Sequence, residues 1–421
     1  MIRQLTQAPR EEFTAETGAR SRSGGQEPPE DAAEAARAGV YVHFPWCLAK
    51  CPYCDFVSYA KASADIDHRA YADAVLREID TRADVLSRRA APSVFFGGGT
   101  PSLWDSRELG RVLAAIRATA QPALPPQQEV EVTVECNPTS LDEDRARALA
   151  FAGVNRLSIG VQSLNDDRLR FLGRLHDAEG GVLAVRGALR AGVPRVSADL
   201  IFGLPGQTPA QACEEATALA DLGLEHLSCY QLTIEPGTRF GELARRGRLP
   251  LAEDGAVADA FLAVHDTLTA RGFVHYEISN YAHPGQEARH NVGYWRGDEY
   301  VGLGCAAYGF VRHGREAGGV RYRNEVLPER YAAGAAPSEE PLPPDALMRE
   351  RIMLGLRTRE GVDLDEAQAS LGTPGWTAAR ERSAASLAER GRIVREGPRG
   401  SRLRIPEASW LWTDDTAARL F

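Results

Sequence analysis

From Gly39 to about residue 240, short apolar runs alternate with longer stretches whose apolar residues recur at helical spacing. The runs at 40–44, 93–96, 130–136, 156–161, 196–202 and 226–232 predict strands. The stretches at 67–89, 107–119, 142–152, 178–191 and 209–222 predict helices between them. Several of the strands are nearly continuous in apolar residues, as expected of a parallel sheet covered on both faces. Parallel crossovers are right-handed, so six such units wrap into an α/β barrel or an open barrel-like sheet. The C-terminal ends of its strands then form the functional face.

Outside this core the pattern changes. Residues 1–38 are polar, rich in Gly, Pro, Glu and Ala, and read as a disordered extension. After 240 the alternation stops, and 273–281 and 320–324 read as further strands around a glycine-rich, aromatic segment. Residues 331–345 read as a linker. From 346 onward three helical patterns precede two strands around 397–400, which predicts a small winged-helix-like domain. The expected organisation is thus an extension (1–38), a core (39–240), an extension of the core (241–330), a linker (331–345) and a C-terminal domain (346–421).

Charge and cysteine usage narrow the function. A net charge of −9 over 421 residues argues against a nucleic-acid partner, because nothing gathers phosphates over a broad surface. No run reaches the ~18 apolar residues of a membrane-spanning helix, and the N-terminus lacks a secretory core. Seven cysteines, three of them within 47–54, suit a reducing cytoplasm and a metal site better than a disulfide framework.

Those three, Cys47, Cys51 and Cys54, follow the first strand with C-x3-C-x2-C spacing. Three thiolates from one loop suit a [4Fe–4S] cluster whose fourth iron has no protein ligand. A small molecule can chelate that open iron through an amine and a carboxylate, as the methionine end of S-adenosylmethionine does. A zinc loop or a reactive thiol pair is the plainer reading, but a structural zinc site takes four protein ligands and no fourth lies close by. Gly97, Gly98 and Gly99 end the second strand, where bare backbone lets a ligand approach. Glu135 and Gln162 end the third and fourth strands, and Asp199 lies in the fifth. Polar side chains there suit a ribose or a methionine carboxylate, and the same residue types also serve as helix caps or barrel salt bridges.

These segments together resemble the radical S-adenosylmethionine (radical SAM) superfamily and, within it, the HemN/HemW group, from Val40 to the C-terminus. The carriers are the cluster loop 41–56, Gly-Gly-Gly-Thr-Pro at 97–101, Val-Glu-Cys-Asn-Pro at 134–138, Ser-Ile-Gly-Val-Gln-Ser at 158–163 and Asp-Leu-Ile-Phe-Gly-Leu-Pro-Gly-Gln at 199–207. The resemblance implies a partial (β/α)6 barrel with a C-terminal helical domain. It also implies S-adenosylmethionine contacts at Tyr41, Gly98, Gly99, Thr100, Glu135, Gln162, Arg174 and Asp199.

Two features choose within the group. Its coproporphyrinogen oxidases extend the loop to a fourth cysteine, where this chain has Phe56. Residues 289–295, with His290, Asn291, Tyr294 and Trp295, resemble the His-Asn-x-x-Tyr-Trp motif of the heme-chaperone branch. A histidine can ligate heme iron, and neighbouring aromatic faces can hold a macrocycle. Equally, His290 and Asn291 can cap a turn while Tyr294 and Trp295 fill a local core. His43 reads as structural, and Cys136, Cys213, Cys229 and Cys305 as buried hydrophobes. The implied function is a heme chaperone with heme, an apo-hemoprotein acceptor and an electron donor as partners, a homodimer being left open. The competing expectations are oxygen-independent coproporphyrinogen III oxidation and radical chemistry on an unknown substrate.

Overall fold

The computed structural model describes residues 36–120, 129–312 and 318–421. The extension expected at 1–38 lies almost wholly outside them. Six parallel strands follow one another in sequence order: β1 (Ala36–Phe44), β2 (Ser93–Gly98), β3 (Glu131–Cys136), β4 (Arg156–Gln162), β5 (Arg195–Phe202) and β6 (His226–Gln231). Helices α1 (His68–Thr81), α2 (Ser106–Thr119), α3 (Glu143–Phe151), α4 (Ala178–Arg190) and α5 (Pro209–Ala220) connect them. Each begins where a short polar side chain takes up an orphan backbone N–H: Asp67, Asp105, Asp142, Asp177 and Thr208. Such a cap stabilises a helix by about 1 kcal/mol. The fold is a partial (β/α)6 barrel.

The sheet continues past both ends of the barrel. Beyond β6 lies an antiparallel hairpin, β7 (Val274–Glu277) and β8 (Asn280–Ala282), where a single strand was expected over 273–281. Helix α6 (Asp254–Thr269), which the sequence reading lacked, precedes it and packs on α5. Beyond β1 lie β9 (Glu299–Leu303), parallel to it, and the antiparallel strands β10 (Tyr308–Arg312), β11 (Gly319–Arg323) and β12 (Ser338–Leu342).

β12 occupies the middle of the expected linker. Its Ser-Glu-Glu-Pro-Leu sequence hides the strand from a hydrophobic-pattern reading, yet charge and proline suit an edge strand that must not recruit another chain. Helix α8 (Pro344–Gly355) starts directly after β12 and ends beside β7. There Ile278 N donates to Arg357 O at 3.2 Å and Arg359 N donates to Tyr276 O at 3.0 Å. The helix therefore joins the two ends of the open sheet. Behind it, two further helices (Leu364–Leu371 and Ala378–Glu389) and a small sheet of Val362–Asp363, Arg402–Arg404 and Val394–Glu396 give the winged-helix-like domain, with one strand more than expected.

Inside the barrel the expectation of two apolar faces fails. Val40, Val42, Val132, Val134, Leu157, Ile159 and Val161 point outward and form the core under the helices. Burying each stabilises the fold by about 1.5–3 kcal/mol. The alternate positions face inward and are polar: Glu131, Thr133 and Glu135; Arg156 and Ser158; Ser197 and Asp199; His226 and Ser228. The barrel interior is thus filled largely by polar side chains, and its upper rim is the C-terminal edge of the strands.

Candidate cofactor site

The loop carrying Cys47, Cys51 and Cys54 leaves β1 at that rim and is closed at its neck. Tyr59 N donates to Pro45 O at 2.8 Å, and Lys61 N donates to Cys47 O at 2.9 Å. The His43 Nε2–H donates to Val57 O at 2.8 Å, which leaves Nδ1 to accept from the Tyr41 hydroxyl at 3.0 Å. Burial lowers the pKa of His43 to about 4, so the neutral ring that makes both bonds persists at neutral pH. His43 thus clasps the far end of the loop to β1.

The three glycines meet this neck from β2. A Cβ on Gly98 would lie 2.5 Å from the His43 ring, and one on Gly99 would lie 2.6 Å from Trp46 O. Gly98 also has φ +111°, which disfavours any side chain. Packing alone therefore requires both glycines, a reason not anticipated from ligand approach. Their amides are already used: Gly98 N donates to Glu135 Oε2 at 3.0 Å, Gly99 N to Phe44 O at 2.7 Å and Thr100 N to Trp46 O at 2.8 Å. With its amides occupied, this run presents carbonyl acceptors, which suit an ammonium rather than a carboxylate.

Opposite the loop, Gln162 ends β4 at φ +68°, a conformation rare for a side chain other than glycine and concentrated at functional sites. Its Oε1 is buried and has no hydrogen-bond partner among the described residues. Arg174 donates through Nη2 to Gly160 O at 2.8 Å and through Nη1 to Cys51 Sγ at 3.6 Å, while its Nε is buried and unpaired. Buried polar atoms without partners are rare, and two here point to a missing polar ligand. Glu135 and Asp199 stand on the inner face below. Burial and the neighbouring Asp199 raise Glu135 to about 7, and burial raises Asp199 as well. Two carboxyl groups that disfavour joint ionisation offer a place for a cation or for hydroxyl groups.

The thiols are half-buried. Thr100 Oγ1 donates to Cys47 Sγ at 3.3 Å, and burial pushes Cys54 up to about 11. Iron bound to the Cys54 sulfur would hold it deprotonated against that burial. A cluster gives each thiolate its own iron, so three spread thiols on one loop suit it. A cleft lined by Leu48, Cys51, Thr100, Asn137, Arg174 and Leu175 opens beside them. The donor set and the orphaned Gln162 and Arg174 atoms fit a cluster with S-adenosylmethionine. All the contacts expected from Tyr41 to Asp199 fall on this one face and the lumen below it.

Phe56, where the oxidases of the group carry a cysteine, is 58% exposed. His290 is elsewhere. It begins helix α7 (Arg289–Arg296) at the opposite, lower end of the lumen and is 4% exposed. Its Nδ1 bonds Ser93 Oγ at 2.9 Å, and its ring lies on Phe95 with centroids 4.9 Å apart. Glu131 holds the helix start, accepting from Arg289 N at 3.0 Å and His290 N at 3.1 Å. Tyr294 meets the His290 ring edge-on at 4.8 Å. The segment packs as a plug in the barrel floor, and no face of the imidazole is open to a macrocycle in this arrangement. The inward residues Glu131, Thr133, Arg156 and His226 were missed from sequence, although the polar–apolar alternation of 131–136 carries the signal.

Comparison with known proteins fits this geometry. The radical SAM superfamily matches residues 41–219, and the HemN C-terminal domain matches residues 342–412. The Escherichia coli protein called heme chaperone HemW is 40% identical over 65% of this chain and 70% of its own length. The chain belongs to the HemN/HemW group of the radical SAM superfamily. The Mycobacterium tuberculosis heme chaperone HemW is 35% identical, covering 83% of this chain and 87% of that protein. A Danio rerio relative, radical S-adenosyl methionine domain-containing protein 1, is 36% identical over 78% of this chain and 74% of its own length. The solved coproporphyrinogen III oxidase HemN of Escherichia coli superimposes with a TM-score of 0.73 over 92% of this chain and 91% of its own, at 21% identity. That likeness concerns the fold. Radical SAM proteins of this group carry a [4Fe–4S] cluster and S-adenosylmethionine, and among the described residues no helix is long and apolar enough to cross a membrane.

Proposed function

We propose that this chain is a heme chaperone, which binds heme and passes it to an apo-hemoprotein with the help of a [4Fe–4S] cluster and exchangeable S-adenosylmethionine. The observation that carries the reading is the exposed Phe56 in place of the oxidases' fourth cysteine, in a chain whose relatives are named heme chaperones. In this reading Cys47, Cys51 and Cys54 hold the cluster. The carbonyls of Gly98 and Gly99 take the amine of S-adenosylmethionine, Gln162 and Arg174 meet its polar groups, and Thr100 orients Cys47. Tyr41, Glu135 and Asp199 line the lumen under it. The bound cofactors supply one-electron chemistry, for which an electron donor is the natural partner. The protein orients them and keeps the neck of the loop rigid.

Iron ligation by His290 requires α7 to leave the barrel floor, so the reading does not depend on it. The test is anaerobic reconstitution with iron and sulfide, followed by heme titration and mixing with an apo-hemoprotein. A Soret band that moves to the acceptor supports the proposal. A spectrum equal to free heme plus protein defeats it, and conversion of coproporphyrinogen III would favour the oxidase reading instead.

A further inference from the structure

Between β4 and α4 the chain runs through residues 162–174, and its two ends, Gln162 and Arg174, carry the orphaned atoms of the cofactor site. The first end is a strained turn. Ser163 N donates back to Val161 O at 2.9 Å, so Gln162 is the centre of a three-residue turn at φ +68°. A γ-turn of this hand is rare, and a residue keeps such a conformation only where its surroundings over-determine it. The second end follows a short helix (Asp166–Phe171), whose Leu169 O accepts from Arg174 N at 2.9 Å.

The support for this segment comes from an outer helix. Glu215, in α5, is 7% exposed and receives three donors. Its Oε2 accepts from Ser163 Oγ at 2.9 Å and Leu164 N at 3.2 Å, and its Oε1 accepts from Arg168 Nη1 at 2.6 Å. One turn earlier on the same face of α5, the Gln211 oxygen accepts from Arg168 Nη2 and, at 3.0 Å, from Thr208 N at the helix start. The buried Ser163 hydroxyl also accepts from Asn165 N at 3.2 Å, where the short helix begins. Three donors on two oxygens need a carboxylate, because an amide offers one acceptor oxygen and turns its own N–H toward another donor.

We propose that Glu215 is a positioning residue for S-adenosylmethionine: acting through Ser163, Leu164 and Arg168, it fixes the 162–174 segment so that Gln162 Oε1 and Arg174 Nε are set for the cofactor before it binds. This rests on the reading that Gln162 and Arg174 meet S-adenosylmethionine. A turn ordered in advance removes an ordering cost from binding, so losing the support weakens affinity for the cofactor. The neck of the cysteine loop is tied by separate bonds, at Pro45, Cys47 and Val57, so the cluster itself should be retained.

The test measures S-adenosylmethionine affinity of the anaerobically reconstituted full chain by equilibrium dialysis, with the iron content and urea midpoint of each variant. Gln162→Ala should weaken binding roughly tenfold and Glu215→Gln roughly fivefold, both at wild-type iron content. Because Glu215 acts through the same segment, the double variant should stay near tenfold, where independent effects would give about fiftyfold. Leu219→Val, which thins the buried packing of the same helix without touching these bonds, should lower the urea midpoint and leave affinity unchanged. Should Glu215→Gln fail to fold, Ser163→Ala carries the same cycle with a smaller single effect. Wild-type affinity in Glu215→Gln, multiplying effects in the double variant, or an equal loss in Leu219→Val overturns the proposal. Failure of wild type to bind S-adenosylmethionine, or wild-type affinity in Gln162→Ala, would instead defeat the cofactor reading on which it rests.

Discussion

Gly99→Ala should release the neck of the cluster loop while leaving the barrel folded. The new methyl would sit 2.6 Å from Trp46 O and 2.9 Å from Phe44 O, both backbone atoms that no rotamer change can move. Restoring an ordinary contact of 3.4 Å requires a separation of about 0.8 Å at the point where the loop begins. That movement breaks or stretches the Gly99 N–Phe44 O and Thr100 N–Trp46 O bonds, of 2.7 and 2.8 Å. Two backbone bonds and the overpacking together cost about 2–4 kcal/mol. Gly223→Ala is the control: its φ of +88° makes it a strained site, but nothing lies within 4 Å of the added carbon. Urea unfolding, with iron and sulfide content after reconstitution, separates the two. Both variants should lose stability, and only Gly99→Ala should lose iron. If Gly99→Ala holds wild-type iron at wild-type stability, the neck is pliant and the glycine is not required by packing.

His43→Phe should keep the core volume but cut the tie to Val57, lowering the yield of cluster and speeding its loss to a chelator. Glu131→Gln should cost about 3 kcal/mol, because Arg195 loses its buried partner, and should expose α7 to hydrogen exchange. Burial alone would raise the Glu131 pKa, but Arg156, Arg195 and two amides outweigh it and hold the group below its ordinary value. Its contribution is therefore present above the unfolded pKa of ~4.3 and is lost as pH falls through the lower folded value, which acid titration of the variant against wild type will read. Glu135 has the opposite sign: raised to about 7 by burial and then Asp199, it keeps a proton that the unfolded chain releases. Its contribution falls as pH rises from ~4.3 toward 7, and Glu135→Gln should flatten that decline in the cofactor-free protein.

The barrel strands were legible because Val, Ile, Leu and Phe cluster in six short runs separated by helical patterns, and the cysteine loop because three thiols in eight residues have few uses. The closure of the sheet was not. β12 carries Glu339, Glu340 and Pro341, which erase a hydrophobic period, and its role is fixed by pairing with β11 across the sequence. The glycine run was read as room for a ligand, whereas His43 and Trp46 already demand it; that packing is invisible until the loop folds back onto β2. For His290, neighbouring aromatic residues suggested a surface for a macrocycle, but Phe95 and Tyr41 from other strands bury the ring. The polar lumen was encoded as a period of two within strands several of which read as nearly continuous apolar runs.

The most direct measurement is electron paramagnetic resonance of the anaerobically reconstituted, reduced protein with and without S-adenosylmethionine. A [4Fe–4S] signal that changes on adding the cofactor, and is absent from Cys47→Ala, Cys51→Ala and Cys54→Ala alike, is the predicted result. A signal that survives loss of any one of these cysteines, or that S-adenosylmethionine leaves unaltered, would contradict the account.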